Sequence, residues 1–418
     1  MESLDIAFFG SSLISAYWNG AATYYRGLIR ALARRGHRIS FYEPDAWERK
    51  EHRDIPDPGW ARSVIYPAQT EADVNEALNQ ARGADLIVKC SGVGVWDEYL
   101  ESGVFRVAKP GARVAFLDVD APATLERVHS NPHDPYLALI PRFDYIFTYG
   151  GGDPVISSYR KLGARECIPV YNALDPETHH PVPPEARFQC DLSFLGNRLP
   201  DREARVEEFF LRPATLCESR FRSHESRTTA PERPVDFRFP ESRTTAPERP
   251  VDFRFPESRT TAPERPVRFL LGGSGWGDKL LPANVRWAGH VYTGDHNAFN
   301  CSSKAVLNIA RDSMARIGFS PATRVFEAAG AGACILTDAW TGIELFLEPG
   351  EEIIVVHSGD DVARTIRELP EERARAIGEA GRRRILAGHT YDHRAQLMED
   401  VLAHAARGLG AGSAGAAR

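Results

Sequence analysis

Short apolar runs alternate with helix-length amphipathic stretches along the first half of the chain. Ile6-Ala7-Phe8-Phe9 is unbroken by any polar residue, which predicts a strand buried on both faces. The loop Gly10-Ser11-Ser12 follows. Across 21–35, Tyr24, Leu28, Ile29 and Leu32 recur at spacings of three and four, predicting an amphipathic helix that ends at Gly36 in a C-cap position. Further strands are predicted at 39–42, 85–89, 114–117 and 145–148, with a helix at 72–81. Strands separated by helix-length patterns imply βαβ units and a parallel sheet.

The Pro-rich stretch 171–187, which contains Asn172-Ala173-Leu174-Asp175-Pro176 and His179-His180, breaks this rhythm. The alternation then restarts, with strands predicted at 192–195, 268–271, 306–309, 334–337 and 353–356 and a helix at 202–210. Two last helical patterns cover about 360–385 and 392–407. The expected organisation is α/β. A Rossmann-like domain spans 1–172, a linker 173–189 and a second Rossmann-like domain 190–390. A C-terminal helix follows at 391–407, and then a small-residue tail, 408–418, expected to be disordered.

One segment stands outside the scheme. The sixteen residues at 225–240 recur identically at 241–256, and a third copy begins at Glu257 and diverges at Arg268. Solenoid repeats have periods of roughly 20–50 residues and a buried apolar face. This unit is rich in proline and charge, so a tandem insertion at about 218–267, forming a mobile surface excursion dispensable for chemistry, is expected.

Composition narrows the classes. Lys plus Arg is 51 against 57 for Asp plus Glu, a net charge of −6, which argues against non-specific nucleic-acid binding. No apolar run approaches the roughly eighteen residues a membrane span needs. The first residues lack the basic start and apolar stretch of a signal peptide. The six cysteines show no CxxC or other metal-ligand spacing and read as reduced thiols. The expectation is a cytoplasmic, multi-domain enzyme.

Candidate chemistry concentrates at 318–332. Ser320 suits an N-cap and Pro321 the first helical turn, so free N–H groups and the helix dipole there would face an anion such as phosphate. Glu327 shares a face with Thr323 and Arg324; its carboxylate could accept from two ribose hydroxyls while Arg324 neutralises phosphate. A capped helix with an exposed Glu–Arg pair explains the same pattern equally well. Thr341 and Gly342, just after a buried strand, would join the same cleft, as ligands of open α/β sheets bind beyond the strands' carboxyl ends. Arg198 and Arg202 lie between a strand and a helix and could clamp a diphosphate; as surface charges they would sit at an unfavourable helix start. The glycine-rich loop 272–277 does not fit a dinucleotide fingerprint and reads as a flexible lip. Asp118-Val119-Asp120 ends a first-domain strand. A metal on this pair is discounted, and Asp120 is a candidate general base, or else a loop aspartate capping the next turn. Trp18, Asn19 and Gly20 could form an acceptor-side wall. His179 and His180 read as solvated linker residues, and no metal site is expected.

The stretches Phe194-Leu195-Gly196-Asn197-Arg198, Asn284 to Val291, Leu307-Asn308-Ile309-Ala310-Arg311 and Arg324 to Gly330 together resemble the CgeB-like (spore-maturation type) glycosyltransferases. These are similar to the broad GT-B, glycosyltransferase group 1-like class. The resemblance is strongest over 190–400 without the repeat. It implies a GT-B fold: two Rossmann-like domains facing a cleft, nucleotide-sugar donor on the second, acceptor on the first, and a final helix crossing back. It implies transfer of a hexosyl or related sugar to a hydroxyl acceptor, with no cofactor beyond the nucleotide-diphosphate sugar and no metal. Glu327 matches the ribose-contacting glutamate, and Arg198 and Arg202 match basic positions near the diphosphate. Related enzymes often carry another glutamate eight residues before the first; here that position is Phe319. Two other readings remain open: a catalytically inactive binding or assembly protein of the same shape, and a nucleotide-sugar epimerase on the same fold.

Overall fold

The structure is a computed structural model that describes residues 2–16, 20–222 and 266–412. Seven parallel strands build the first sheet: β1 (Asp5–Phe9), β2 (Arg38–Asp45), β3 (Arg62–Pro67), β4 (Leu86–Cys90), β5 (Arg113–Asp118), β6 (Tyr145–Thr148) and β7 (Cys167–Pro169). Their order is β3-β2-β1-β4-β5-β6-β7. Six parallel strands build the second: β8 (Cys190–Leu195), β9 (Phe269–Gly272), β10 (Val285–Trp287), β11 (Ser303–Asn308), β12 (Ile335–Asp338) and β13 (Ile354–Val356), ordered β10-β9-β8-β11-β12-β13. In each sheet the order reverses beside the first strand, between β1 and β4 and between β8 and β11. That reversal opens a ligand crevice at the carboxyl ends of the strands.

The apolar runs form strands because both faces of each sheet are covered. Phe8 and Phe9 are both fully buried, and they belong to separate core clusters on opposite sides of the first sheet. The helix Ala22–Arg34 buries Tyr24, Leu28, Ile29 and Leu32, as its spacing predicts, and Gly36 follows at φ +95°. Helix Glu71–Gln80 starts at a Thr70–Asp73 capping box. The single pattern at 360–385 is two helices, Gly359–Glu368 and Glu371–Gly388, because Pro370 between them cannot continue the backbone ladder. The predicted helix at 202–210 runs as Pro200–Val206, a π turn at Glu207–Leu211, and Arg212–Arg222. The pattern misses β3, β7 and β10, short or half-exposed strands that leave no long apolar run. The tandem repeat lies outside the described residues.

The stretch expected to be a free linker is held by the end of the chain. Leu174 N donates to His389 O at 2.9 Å and Tyr391 N to Leu174 O at 3.0 Å. The last helix, Tyr391–Gly412, then crosses to pack on Ala22–Arg34. Residues 408–412, expected to be disordered, continue this helix instead. Glu399 ties it down, accepting from Arg35 Nε at 2.7 Å and lying 3.0 Å from His37 Nε2. Among the described residues no helix is long and apolar enough to cross a membrane. No disulfide links any of the six cysteines, all of which lie among the described residues.

Two predictions follow from the crossover. A Cβ on Gly27 would lie 2.1 Å from the Tyr391 ring. Gly→Ala inside a helix ordinarily stabilises by about 0.5–1 kcal/mol. Here overpacking reverses the sign, and Gly27→Ala is expected to cost about 1–3 kcal/mol in urea unfolding. Gly388→Ala, with open space around it, is the control and loses nothing. Second, burial foremost, then Arg394 and Arg384, push His389 down from 6.5 to about 4. The folded protein keeps this ring neutral where the unfolded chain takes up a proton. Its contribution is therefore present above pH 6.5 and is lost as the pH falls from there toward 4. Urea unfolding at about pH 7 and about pH 5 is expected to show a smaller acid loss in His389→Gln than in the parent.

Candidate functional site

The carboxyl ends of both sheets meet at one seam. Asp120 follows β5, and Arg311 follows β11. Arg311 Nη1 donates to Asp120 Oδ2 at 3.2 Å across the seam, and its Nε donates to Asp201 Oδ2 at 2.6 Å within its own domain. Just after β6, Gly151 N donates to Phe319 O at 2.7 Å. Asn172 Nδ2 reaches Thr323 Oγ1 at 3.2 Å, and Tyr149 Oη lies 3.5 Å from the same hydroxyl. The start of helix Thr323–Gly330 is thus pinned by the first domain.

That helix begins later than its sequence suggests. Its N-cap is Ala322, with no side-chain cap. Ser320 is not the cap: its hydroxyl donates to Gly318 O at 2.9 Å, and the residue packs on Gly150. The helix start therefore carries no side-chain cap. Arg324 and Glu327 lie on one face. Arg324 makes no hydrogen bond or ion pair among the described residues. Burial pulls it down to about 10, Arg202 adds to that effect, and Glu327 opposes it. Burial pushes the Glu327 carboxyl up, but His179, His296 and Arg324 together hold it below its usual range. Burial holds His296 below its ordinary value, favouring the neutral ring. Arg324 is a standing positive charge beside Glu327. The expected exposed Glu–Arg pair does not form: Glu327 is only 8% exposed.

The two arginines after β8 behave differently. Arg202 stays at the seam: its Nη2 donates to Asn197 O at 2.7 Å, and its Nε is buried without a partner. Burial lowers its pKa, with Asp201 opposing and Arg311 assisting. Arg198 is turned aside. Its Nη1 lies 3.0 Å from both Asp278 oxygens, and Nη2 lies 2.7 Å from Glu203 Oε1. Arg202, Arg324 and Arg311 come together at the seam, whereas Arg198 is engaged by Asp278 and Glu203. Arg311 is not among the residues the sequence singles out for the site; its place directly beyond a buried strand's carboxyl end is the signal that could have found it.

Thr341 and Gly342 act one step back. Thr341 O accepts from Phe319 N at 2.6 Å, and a Cβ on Gly342 would lie 2.3 Å from the Phe319 ring. They seat the seam loop. The loop 272–277 is no flexible lip: Trp276 is buried, and its Nε1 donates to Gly196 O at 2.8 Å. Asp118 is a core residue, accepting from Tyr159 Oη at 2.5 Å and Thr124 Oγ1 at 2.9 Å, with burial raising its pKa. Asp120 precedes helix Ala121–Ser130 without a side-chain cap bond, so it is not the capping aspartate. A cavity of about 370 Å³ lies between Pro122, Leu125 and His129 of the first domain and Arg316 and Ile317 of the second, and Asp120 is not part of its lining. Gly20 is exposed with open space around it, and Trp18 and Asn19 lie outside the described residues. His179 is not solvated: it is 2% exposed and its Nε2 stands 3.8 Å from Glu327 Oε1. Neither the proline-rich stretch around it nor any ligand spacing signals this.

This geometry frames the comparisons with known proteins. Residues 255–400 match the family model described as glycosyl transferase-like. Solved structures align over nearly the whole chain. Sucrose-phosphate synthase from Thermosynechococcus elongatus matches with a TM-score of 0.60 at 12% identity, covering 97% of this chain and 100% of that one. Anabaena HepE in complex with UDP-glucose matches with a TM-score of 0.59 at 12% identity, covering 96% and 100%. A glycosyltransferase from Rickettsia africae matches with a TM-score of 0.59 at 10% identity, covering 96% and 98%. The chain has the GT-B fold, and its second domain is glycosyltransferase-like. No curated protein matches by sequence. In this GT-B frame the seam holding Arg202, Arg311, Arg324 and Glu327 is the interdomain cleft.

The arginines give a discriminating prediction. Arg324→Ala is expected to weaken nucleoside-diphosphate binding at least tenfold, about 1.4 kcal/mol. Arg198→Ala, whose charge is already taken by Asp278 and Glu203, leaves affinity within about twofold, a few tenths of a kcal/mol. Isothermal titration of both variants checks the pair.

Proposed function

We propose that the chain is a glycosyltransferase that moves a hexosyl or related sugar from a nucleotide-diphosphate donor to a hydroxyl acceptor. The observation that carries the reading is Arg324: a half-buried guanidinium without a partner, one turn from a buried carboxylate, at an uncapped helix start in a GT-B cleft. Glu327 takes the ribose hydroxyls. Arg324, Arg202 and Arg311 take the diphosphate, with the helix start adding N–H donors. In a water-poor cleft these groups stabilise the charge that grows on the leaving diphosphate, a task the arginines meet without a metal on the phosphates.

The step balances with the groups present. The acceptor oxygen bonds to the anomeric carbon, and the bond to the diphosphate breaks with its electron pair going to a phosphate oxygen. The acceptor's proton passes to Asp120. Arg311 now spans Asp120 and Asp201; a donor phosphate would compete for it and release Asp120 to act as base.

One observation favours a second reading, binding without turnover. Phe319 stands where related enzymes often carry a sugar-contacting glutamate, and its ring packs between glycines of the two domains. A thermal-shift panel of UDP, GDP, TDP and CMP tests both readings, with UDP first because HepE was solved with UDP-glucose. Stabilisation by one diphosphate is expected, and Glu327→Ala should weaken it at least tenfold, about 1.4 kcal/mol. Unchanged affinity in a folded Glu327→Ala protein would sink the site assignment. Nucleotide binding with no product from any acceptor would support the second reading.

A further inference from the structure

His179, His296 and Glu327 come from three separate segments and converge at the inner end of the cleft. His179 lies in the linker, His296 opens helix His296–Cys301, and Glu327 lies on helix Thr323–Gly330. One ligand atom from each lies within 4.8 Å of the other two. The His179 Nε2 to Glu327 Oε1 distance of 3.8 Å is too long for a hydrogen bond. His179 Nε2 and His296 Nδ1 are both buried with no hydrogen-bond partner among the described residues. The two rings are 6.0 Å apart at 30°. The orphaned His179 Nε2, a nitrogen of the His296 ring and a buried carboxylate, all within 4.8 Å of one another, call for a common occupant.

We propose that these three side chains bind one zinc-like divalent cation. Imidazole nitrogens suit late first-row divalent ions, and the carboxylate supplies the compensating charge. Tetrahedral zinc with bonds of about 2.0–2.1 Å sets its ligand atoms roughly 3.3 Å apart. The cluster reaches that spacing by side-chain closure of about an ångström. Three protein ligands leave a fourth position for water or a hydroxyl.

The backbone around His179 is already pinned for this role. His180 N donates to Asn297 Oδ1 at 3.3 Å, and Asn297 Nδ2 donates to Thr178 O at 2.9 Å. The linker residues on both sides of His179 are thus hooked onto the helix that carries His296, so the two imidazoles are positioned before any ion arrives. The bound ion clamps the interdomain linker to the second domain. It uses one face of the Glu327 carboxylate, which has two oxygens to share with a ribose. The proposal does not rest on the donor reading, because neither histidine belongs to it.

The test uses the full chain, stripped with a chelator and then given zinc or cobalt(II). One equivalent by elemental analysis and cobalt absorption bands of a low-coordinate site are expected. His179→Gln and His296→Gln should each weaken binding at least roughly 100-fold, as losing a direct ligand exceeds the effect of losing a supporting group. His180→Ala, the exposed neighbour, retains the ion. Melting of each variant without metal separates misfolding from loss of a ligand. No stoichiometric ion, or an ion kept by both glutamine variants, overturns the proposal. So does a metal-free protein in which both glutamine variants lose UDP binding, since that assigns the histidines to the nucleotide. UDP binding without zinc binding leaves the donor reading standing while the metal site fails. Zinc binding without UDP binding does the reverse.

Discussion

Phe319 adopts a left-handed φ of +50° with its ring between Gly152 of the first domain and Gly342 of the second. A Cβ on either glycine would lie within 2.6 Å of that ring. Bulky residues avoid this backbone region, and the conformation persists only where the surroundings over-determine it. Here both of its peptide groups are claimed: its N–H by Thr341 of its own domain, its carbonyl by Gly151 of the other. Ser320, Thr323, Arg324 and Glu327 follow within eight residues on the same rigid path. Their place in the cleft, and the docking of Thr323 on Asn172, depend on that wedge.

Charge in the cleft is arranged around absent negative partners. Arg324 lacks a partner, Arg202 has an orphaned Nε, and Arg311 is shared between two aspartates from different domains. Bringing like charges together in a poorly hydrated space is costly unless an anion joins them. Arg198 shows the contrast: Asp278 and Glu203 satisfy it, and it has no part in the cluster. The part-exposed Arg311–Asp120 pair contributes little stability of its own, about 0–1 kcal/mol. It can therefore be exchanged for a ligand phosphate at small cost, which makes it a suitable contact to break on donor binding.

The buried triad ties the linker to this logic. A hinge in a two-domain enzyme is expected to be free, yet Leu174 pairs with the chain's return at Thr390 and His179 is packed against Glu327. The two chain crossings between the domains meet around Asn172, Leu174 and Thr390. Asn172 itself contacts Thr323, and Arg394 donates to its carbonyl at 3.2 Å.

The periodic parts of the structure were legible in the residues. Apolar runs such as 6–9 and 192–195 specify buried parallel strands, since burial on both faces needs only local side-chain character. The three-four spacing around Leu28 specifies a helix in the same way. Glu327, Arg324 and Arg202 were legible as candidates because they sit just past strand ends or near helix starts. The helix cap was not, because Ser320 is drawn into the interdomain seam. Nor was the fate of Arg198, whose two acidic partners come from the helix that follows it and from beyond the repeat. His179 looked solvated in a proline-rich stretch, but contacts 117 and more residues away bury it. The sequence by itself determined which segments become strands and helices and which ionisable groups stand at their ends, because those depend on neighbours along the chain. Only the tertiary structure decided which of those groups are already paired, which are left without a partner, and which histidines meet a carboxylate. That choice is made by desolvation and by charges brought together from distant parts of the chain.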